Sequence, residues 1–229
     1  MAILPRPTLR GNTPGGLLGC FLLVIAAELF VTRHDRDATP TGEWQYLLAS
    51  RAATLEAKSY DLLAFGDSQV KMGVLPDLIG ERSGLRAYNL AVTGASAPAS
   101  FELLRRAIAG GAAPSAVLVD FHQFMLAMPP QANHQTLPFV LSYDTACRLG
   151  VAVRDPAFLA GLVARKALPS LRCRQAIRLW VESALEGKPS PFRSTTAEAV
   201  SHWGKNQGAW VMKPESDPSG TCLAAQRLT

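Results

Sequence analysis

Three short apolar runs, each stopping abruptly at a cluster of small and polar residues, constrain this chain more than any other feature. Tyr60-Asp61-Leu62-Leu63-Ala64-Phe65 stops at Gly66-Asp67-Ser68, and Leu85 to Val92 stops at Thr93-Gly94-Ala95-Ser96. Ala116-Val117-Leu118-Val119 runs into Asp120-Phe121-His122-Gln123. Apolar runs of this length fit strands buried on both faces of a parallel sheet. Between the first two, Pro76 opens a helix through Leu78 and Ile79 that Gly84 closes. Between the second and third, Pro98 opens another, in which Phe101, Leu104 and Ile108 share a face while Glu102, Arg105 and Arg106 point away. The order β-α-β-α-β predicts a parallel sheet with its site at the carboxyl ends of the strands. All three polar clusters fall at those ends.

Phe65-Gly66-Asp67-Ser68 and Tyr88-Asn89-Leu90-Ala91-Val92-Thr93-Gly94 resemble blocks of the SGNH (GDSL) hydrolase superfamily, over residues 60–125. The resemblance implies a flavodoxin-like three-layer α/β fold around a parallel sheet, left incomplete here because three strands are legible and such sheets have about five. It implies Ser68 as nucleophile, the N–H groups of Ser68 and Gly94 as oxyanion donors, and Asp67 as a shaper of the turn. The residues also admit a plain strand-to-helix turn with Ser68 as N-cap. Where the family's third block reads Gly-x-Asn-Asp, this chain has Asp120-Phe121-His122-Gln123. His122 is then a hydrogen-bond donor at the asparagine's position, a base with Asp120 two residues back, or a strand-end histidine without a catalytic role. The family's fifth block, Asp-x-x-His, is absent: none of His34, His134 and His202 has an Asp three residues earlier. Without a base, a serine nucleophile loses several orders of magnitude in rate. The chain is therefore expected to be truncated relative to such proteins, leaving a poorly covered sheet edge beside the third strand.

Gly15 to Val31 is almost wholly apolar. As a helix it would span about 25 Å, slightly short of the ~30 Å hydrocarbon core of a bilayer. Thr32-Arg33-His34-Asp35-Arg36-Asp37 would stop it at the headgroups, and Glu28 sits in what is expected to be the last turn, within reach of the interface. A signal-anchor helix is the favoured reading, with a cleaved signal peptide (at Ala27, with Ile25 third before the cut) and a buried core helix as alternatives. Leu17-Leu18-Gly19-Cys20 has the look of a lipobox, but the apolar stretch follows the cysteine instead of preceding it. Arg6 and Arg10 on one side against Arg33 and Arg36 on the other specify orientation weakly. The expected topology is single-pass with an extracytoplasmic carboxyl-terminal domain.

The expected organisation is a polar tail (1–14), a transmembrane signal-anchor helix (15–31), a linker and amphipathic helix (32–59), the β-α-β-α-β core (60–127), a helical region (128–213) and a mobile tail (214–229). In the helical region, Asp155-Pro156 opens a helix bearing Phe158, Leu159, Leu162 and Val163 on one face. Ser170 opens another bearing Ile177, Trp180, Val181 and Ala184, and Ala209-Trp210-Val211-Met212 is the later strand candidate. Cys20, Cys147, Cys173 and Cys222 lie far apart and read as free thiols, a Cys147–Cys173 disulfide being the alternative. The net charge of +5 is spread out, with one denser stretch from Arg165 to Arg178. That stretch reads as a solvated helix face, or else as a surface for an anionic partner or lipid. Nucleic acid is not indicated, no nucleotide or metal motif is present, and no cofactor is expected.

Two functional classes follow. One is a membrane-anchored SGNH-type esterase or O-acyltransferase acting on a small acyl ester, such as an acetyl group on a surface polysaccharide, with Ser68, Asp67, Gly94, His122 and Asp120 at its site. The other is an inactive or truncated α/β module that binds a glycan or protein partner.

Overall fold

A computed structural model of the chain describes residues 14–33, 41–188 and 193–211. Helix α1 (Pro14–Arg33) carries the amino-terminal apolar run, and α2 (Thr41–Leu55) follows. The sheet-forming segment then reads β1 (Leu62–Gly66), α3 (Ser68–Gly73), α4 (Pro76–Ser83), β2 (Ala87–Asn89), α5 (Ala97–Ala109) and β3 (Ala116–Asp120). Six short and medium helices follow: α6 (Gln123–Ala127), α7 (Leu137–Val140), α8 (Tyr143–Val153), α9 (Pro156–Ala167), α10 (Pro169–Arg172) and α11 (Arg174–Leu185). Helix α12 (Arg193–Lys205) ends the described elements.

The three strands are parallel in the order β2-β1-β3. β1 pairs with β3 from Leu62↔Ala116 to Gly66↔Asp120, and with β2 from Leu62↔Ala87 to Ala64↔Asn89. Leu90 N–H to Ala64 O (2.8 Å) and Val92 N–H to Gly66 O (3.2 Å) carry the β1–β2 ladder on past β2 itself.

The two faces of the sheet are unequally filled. Leu63 and Phe65 join Tyr88, Leu90 and Val92 under a layer that is mostly alanine, from α2 (Ala49, Ala52, Ala53) and α5 (Ala99 and Ala107, with Leu103). The alanines let these helices approach the sheet closely. The opposite face holds a far smaller cluster of Ala64, Val70 and Ala91, with Leu62, Val74 and Leu118 at its margin.

β3 lies outside this core. Val117 and Val119 pair in register with the buried Leu63 and Phe65, yet are 43% and 57% exposed. Its outer edge has no strand partner among the described residues.

Helix α5 departs from the expected facing in part: Leu104 packs on the core and Arg105 is exposed as expected, but the rest of the face is turned. Phe101 and Ile108 are exposed, while Glu102 and Leu103 are fully buried. The Glu102 carboxylate is accommodated because Arg105 Nε and a second Arg105 nitrogen (both 2.8 Å), Arg106 Nε (3.3 Å), Ser142 N–H (3.0 Å) and the Thr145 hydroxyl (2.8 Å) all donate to it. A buried charge is tolerable only with such a set of partners. This cluster ties α5 to the start of α8.

Other differences are smaller. The helix expected from Ser170 is broken at Cys173 into α10 and α11. Residues 209–211 form no strand. Instead the segment after α12 closes the outer edge of β2: Asn89 N–H donates to Gln207 O (2.9 Å) and Trp210 N–H to Lys71 O (3.0 Å). Gly208 (φ 85°) lies so close to the Asn89 carbonyl that a side chain there would collide with it. No disulfide joins Cys147 to Cys173, the first being exposed and the second buried. Cys222, the polar tail 1–14 up to residue 13, His34 and the tail 214–229 lie outside the described residues.

Candidate active site

The strand register brings three sequence clusters to the same edge of the sheet. Gly66 pairs with Asp120 and accepts the Val92 N–H, which closes the β1–β2 ladder. Ser68, Gly94 and His122 each follow two residues after one of these rung residues. The carboxyl edge of the sheet thus carries all three on adjacent strand extensions.

Asp67 organises this edge. It is 2% exposed, and its two carboxylate oxygens have separate tasks. Oδ1 accepts the Gln69 N–H (2.9 Å), capping α3, and Oδ2 accepts the His122 N–H (2.8 Å) across the sheet. The cap of α3 is therefore Asp67 and not Ser68. Ser68 occupies the first helical position with its hydroxyl free of capping, partly exposed. No described residue accepts the Ser68 N–H, as expected for the first turn of a helix.

Gly94 sits in a hydrogen-bonded turn closed by Ala95 N–H to Val92 O (2.9 Å). Its φ of 70° is the left-handed value that the third position of a type II turn requires and glycine supplies freely. No described residue accepts its N–H either. Thr93 N–H donates to Gln45 Oε1 (3.2 Å), tying the turn to α2. Ser96 and Ser100, just beyond, have buried hydroxyls without a partner among the described residues. Sequence reasoning did not single these two out.

His122 is exposed, and its Nδ1 accepts the Phe124 N–H (3.2 Å), capping α6. With Nδ1 accepting, the neutral ring carries its proton on Nε2 and offers it outward as a donor. Asp120 is exposed at the end of β3 and makes no side-chain hydrogen bond or ion pair among the described residues. No described side chain is hydrogen-bonded to the Ser68 hydroxyl. His134 is bonded to Gln131 O (3.0 Å) and His202 to Val211 O (2.9 Å), so both are engaged elsewhere.

Lys71, which the sequence did not mark, lies three residues after Ser68 and is completely buried. Its Nζ donates to the Gly208 carbonyl and stands 3.2 Å from the centre of the Trp203 ring. Burial drives its amine well below the ordinary lysine pKa. Asn89, also fully buried, donates from Nδ2 to Val70 O (2.9 Å) and Val74 O (2.8 Å), fixing the carboxyl-terminal half of α3 against β2. The signal for both was in the sequence only as isolated polar residues beside apolar ones.

Chemically, the edge presents a hydroxyl, two unclaimed backbone N–H groups and one imidazole N–H. These suit a carbonyl that develops negative charge. No group of three or more His, Cys, Asp or Glu among the described residues is placed to hold a metal ion. No protein-family model, curated protein or solved structure matches this chain.

Proposed function

We propose that this chain is a membrane-anchored SGNH-like protein whose carboxyl-edge cluster takes a small acyl ester, with Ser68 as nucleophile. The carrying observation is the shared register of Ser68, Gly94 and His122, each two residues beyond a closing rung of the ladder. The strand order 2-1-3 is also the beginning of the 2-1-3-4-5 order of flavodoxin-like sheets. α1 is long and apolar enough to cross a membrane, over Gly16–Arg33. In this reading it anchors the chain with its carboxyl-terminal domain outside the cytoplasm.

Ser68 Oγ attacks the acyl carbon and its proton passes to water. The carbonyl oxygen becomes an oxyanion that the Ser68 and Gly94 N–H groups and His122 Nε2–H receive. Collapse expels the alcohol, protonated by water, and leaves an acyl-serine for hydrolysis or transfer. His122 serves as donor here, because acting as base would require it to surrender its bond from Phe124. Turnover is therefore expected several orders of magnitude below that of a serine paired with a histidine.

A second reading has its own support. The absence of any described side chain bonded to the Ser68 hydroxyl favours a non-catalytic module that binds an acylated glycan or a protein at the same edge. A fluorophosphonate probe on the full chain separates the two. Labelling that Ser68→Ala abolishes and His122→Ala weakens, with circular dichroism unchanged, supports the ester site. A folded chain left unlabelled even on prolonged exposure to excess probe refutes it and leaves the binding module.

A further inference from the structure

The amino-terminal apolar helix does not stand apart from the rest of the chain. Glu28 on α1 accepts the Ser170 N–H (3.1 Å) and the Ser170 hydroxyl, at the start of α10. The Phe30 and Trp180 rings meet at 6.4 Å between centroids. α1 runs on to Arg33, so Glu28 lies five residues inside its end instead of in the last turn. At 1.5 Å per residue, the contact sits about 7.5 Å in from Arg33 along the axis. If Arg33 marks the headgroups, α10 and α11 lie at the depth of interfacial helices, whose apolar faces reach about 5–10 Å into the headgroup–acyl boundary.

The surface of α11 suits that depth. Ile177, Trp180, Val181 and Ala184 form a broad apolar arc, flanked on the Val181 side by Arg174, Arg178 and Glu182, the last two ion-paired at 2.8 Å. Only Ala176 of this helix is buried; Leu179, Trp180 and Val181 are about 40% exposed. Between residues 165 and 185 the chain has five basic side chains against the single acid Glu182. Lys166 lies 5.0 Å over the Tyr143 ring and Arg172 4.8 Å over the Phe139 ring, so those two turn inward. Arg174 and Arg178 stay on the exposed side.

We propose that α10 and α11 form an interfacial platform that lies on the bilayer α1 enters, with Ile177, Trp180 and Val181 among the upper acyl segments and Arg174 and Arg178, beside that arc, at anionic phospholipid headgroups. The platform rests on reading α1 as a membrane-spanning helix. Its continuity with α1 at Glu28–Ser170 and Phe30–Trp180 identifies the lipid surface as what covers the apolar arc. Trp beside basic residues is the usual composition of such faces. The seating also fixes how the candidate site stands relative to the membrane, because α9, α10 and α11 are continuous with the helices packed on the sheet.

The test reconstitutes the full chain into vesicles of phosphatidylcholine and phosphatidylglycerol whose acyl chains carry bromine near the headgroups. Bromine is expected to quench tryptophan emission, and Trp180→Phe to remove the quenching. Arg174→Gln with Arg178→Gln is expected to lower the quenching to that seen in phosphatidylcholine alone. A chain that resists alkaline extraction but shows no Trp180 quenching overturns the platform and leaves the anchor, and a protein partner then becomes the occupant to seek. A chain that alkali extracts overturns the platform and the anchor together.

Discussion

Replacing Lys71 by methionine measures how firmly the segment after α12 closes over the sheet. The lysine is completely buried, with Nζ against the Gly208 carbonyl and the Trp203 ring. Burial lowers its pKa well below the ordinary value. The unfolded chain, whose lysine titrates at about 10.4, therefore binds more protons than the folded chain throughout the window between the two values. Within that window the native protein gains stability as pH rises, by up to about 1.4 kcal/mol per pH unit. Below it the full cost of burying the amine is present; above it that cost is gone. Methionine has similar length and no proton to bind, so Lys71→Met loses this slope. It also loses a hydrogen bond of about 1 kcal/mol to the Gly208 carbonyl. Urea unfolding of the full chain in detergent micelles, followed by tryptophan emission at unit steps from pH 7 to pH 10, reads both effects. Native minus variant stability is expected to increase with pH. Parallel curves would refute the reasoning, because an amine with the same pKa in both states must reach water, and the segment could not be closed over it.

Asp67→Ala removes both the cap on α3 and the brace to His122, and is expected to cost about 2–3 kcal/mol by chemical unfolding. Asp67→Asn keeps a single acceptor oxygen and is expected to recover about half of that. Glu102→Ala leaves the Ser142 N–H and the Thr145 hydroxyl without their acceptor and the partly exposed Arg105 and Arg106 without their anion, with an expected loss of about 1–3 kcal/mol in urea unfolding. Burial pushes the Glu102 carboxyl up, but its bonds from Arg105, Thr145 and Ser142 hold it below the ordinary value. Its contribution is thus complete above the ordinary carboxylate range and is lost as pH falls through the lowered pKa, so the native protein should show a steeper acid loss than the variant.

Much of the sheet was legible because local signals set it. The abrupt stops at Gly66, Thr93 and Asp120 mark strand ends, and parallel pairing follows from the helices between them. The strand expected through Val92 is continued by ladder bonds at Leu90 and Val92, although β2 proper is shorter. The full facing of α5 was not legible. A 3.6-residue period specifies that apolar residues recur, but not that Glu102 will find two arginines on its own helix and Ser142 and Thr145 some 40 residues on. Nor does spacing reveal that Asp67, one residue before the serine, spends its oxygens on capping and bracing.

The sequence by itself determined the apolar helix, the strand–helix alternation and the gathering of Ser68, Gly94 and His122 at strand ends, because these follow from periodicity, glycine and proline over a few residues. Tertiary structure alone decided the rest. It set which face of α5 is buried and turned Nδ1 of His122 to the backbone. It also buried Lys71 beneath Gly208 and joined Glu28 to Ser170. Each of these depends on a polar group meeting its partner away from water, and such partners are chosen by the packing of distant segments, which no local pattern encodes.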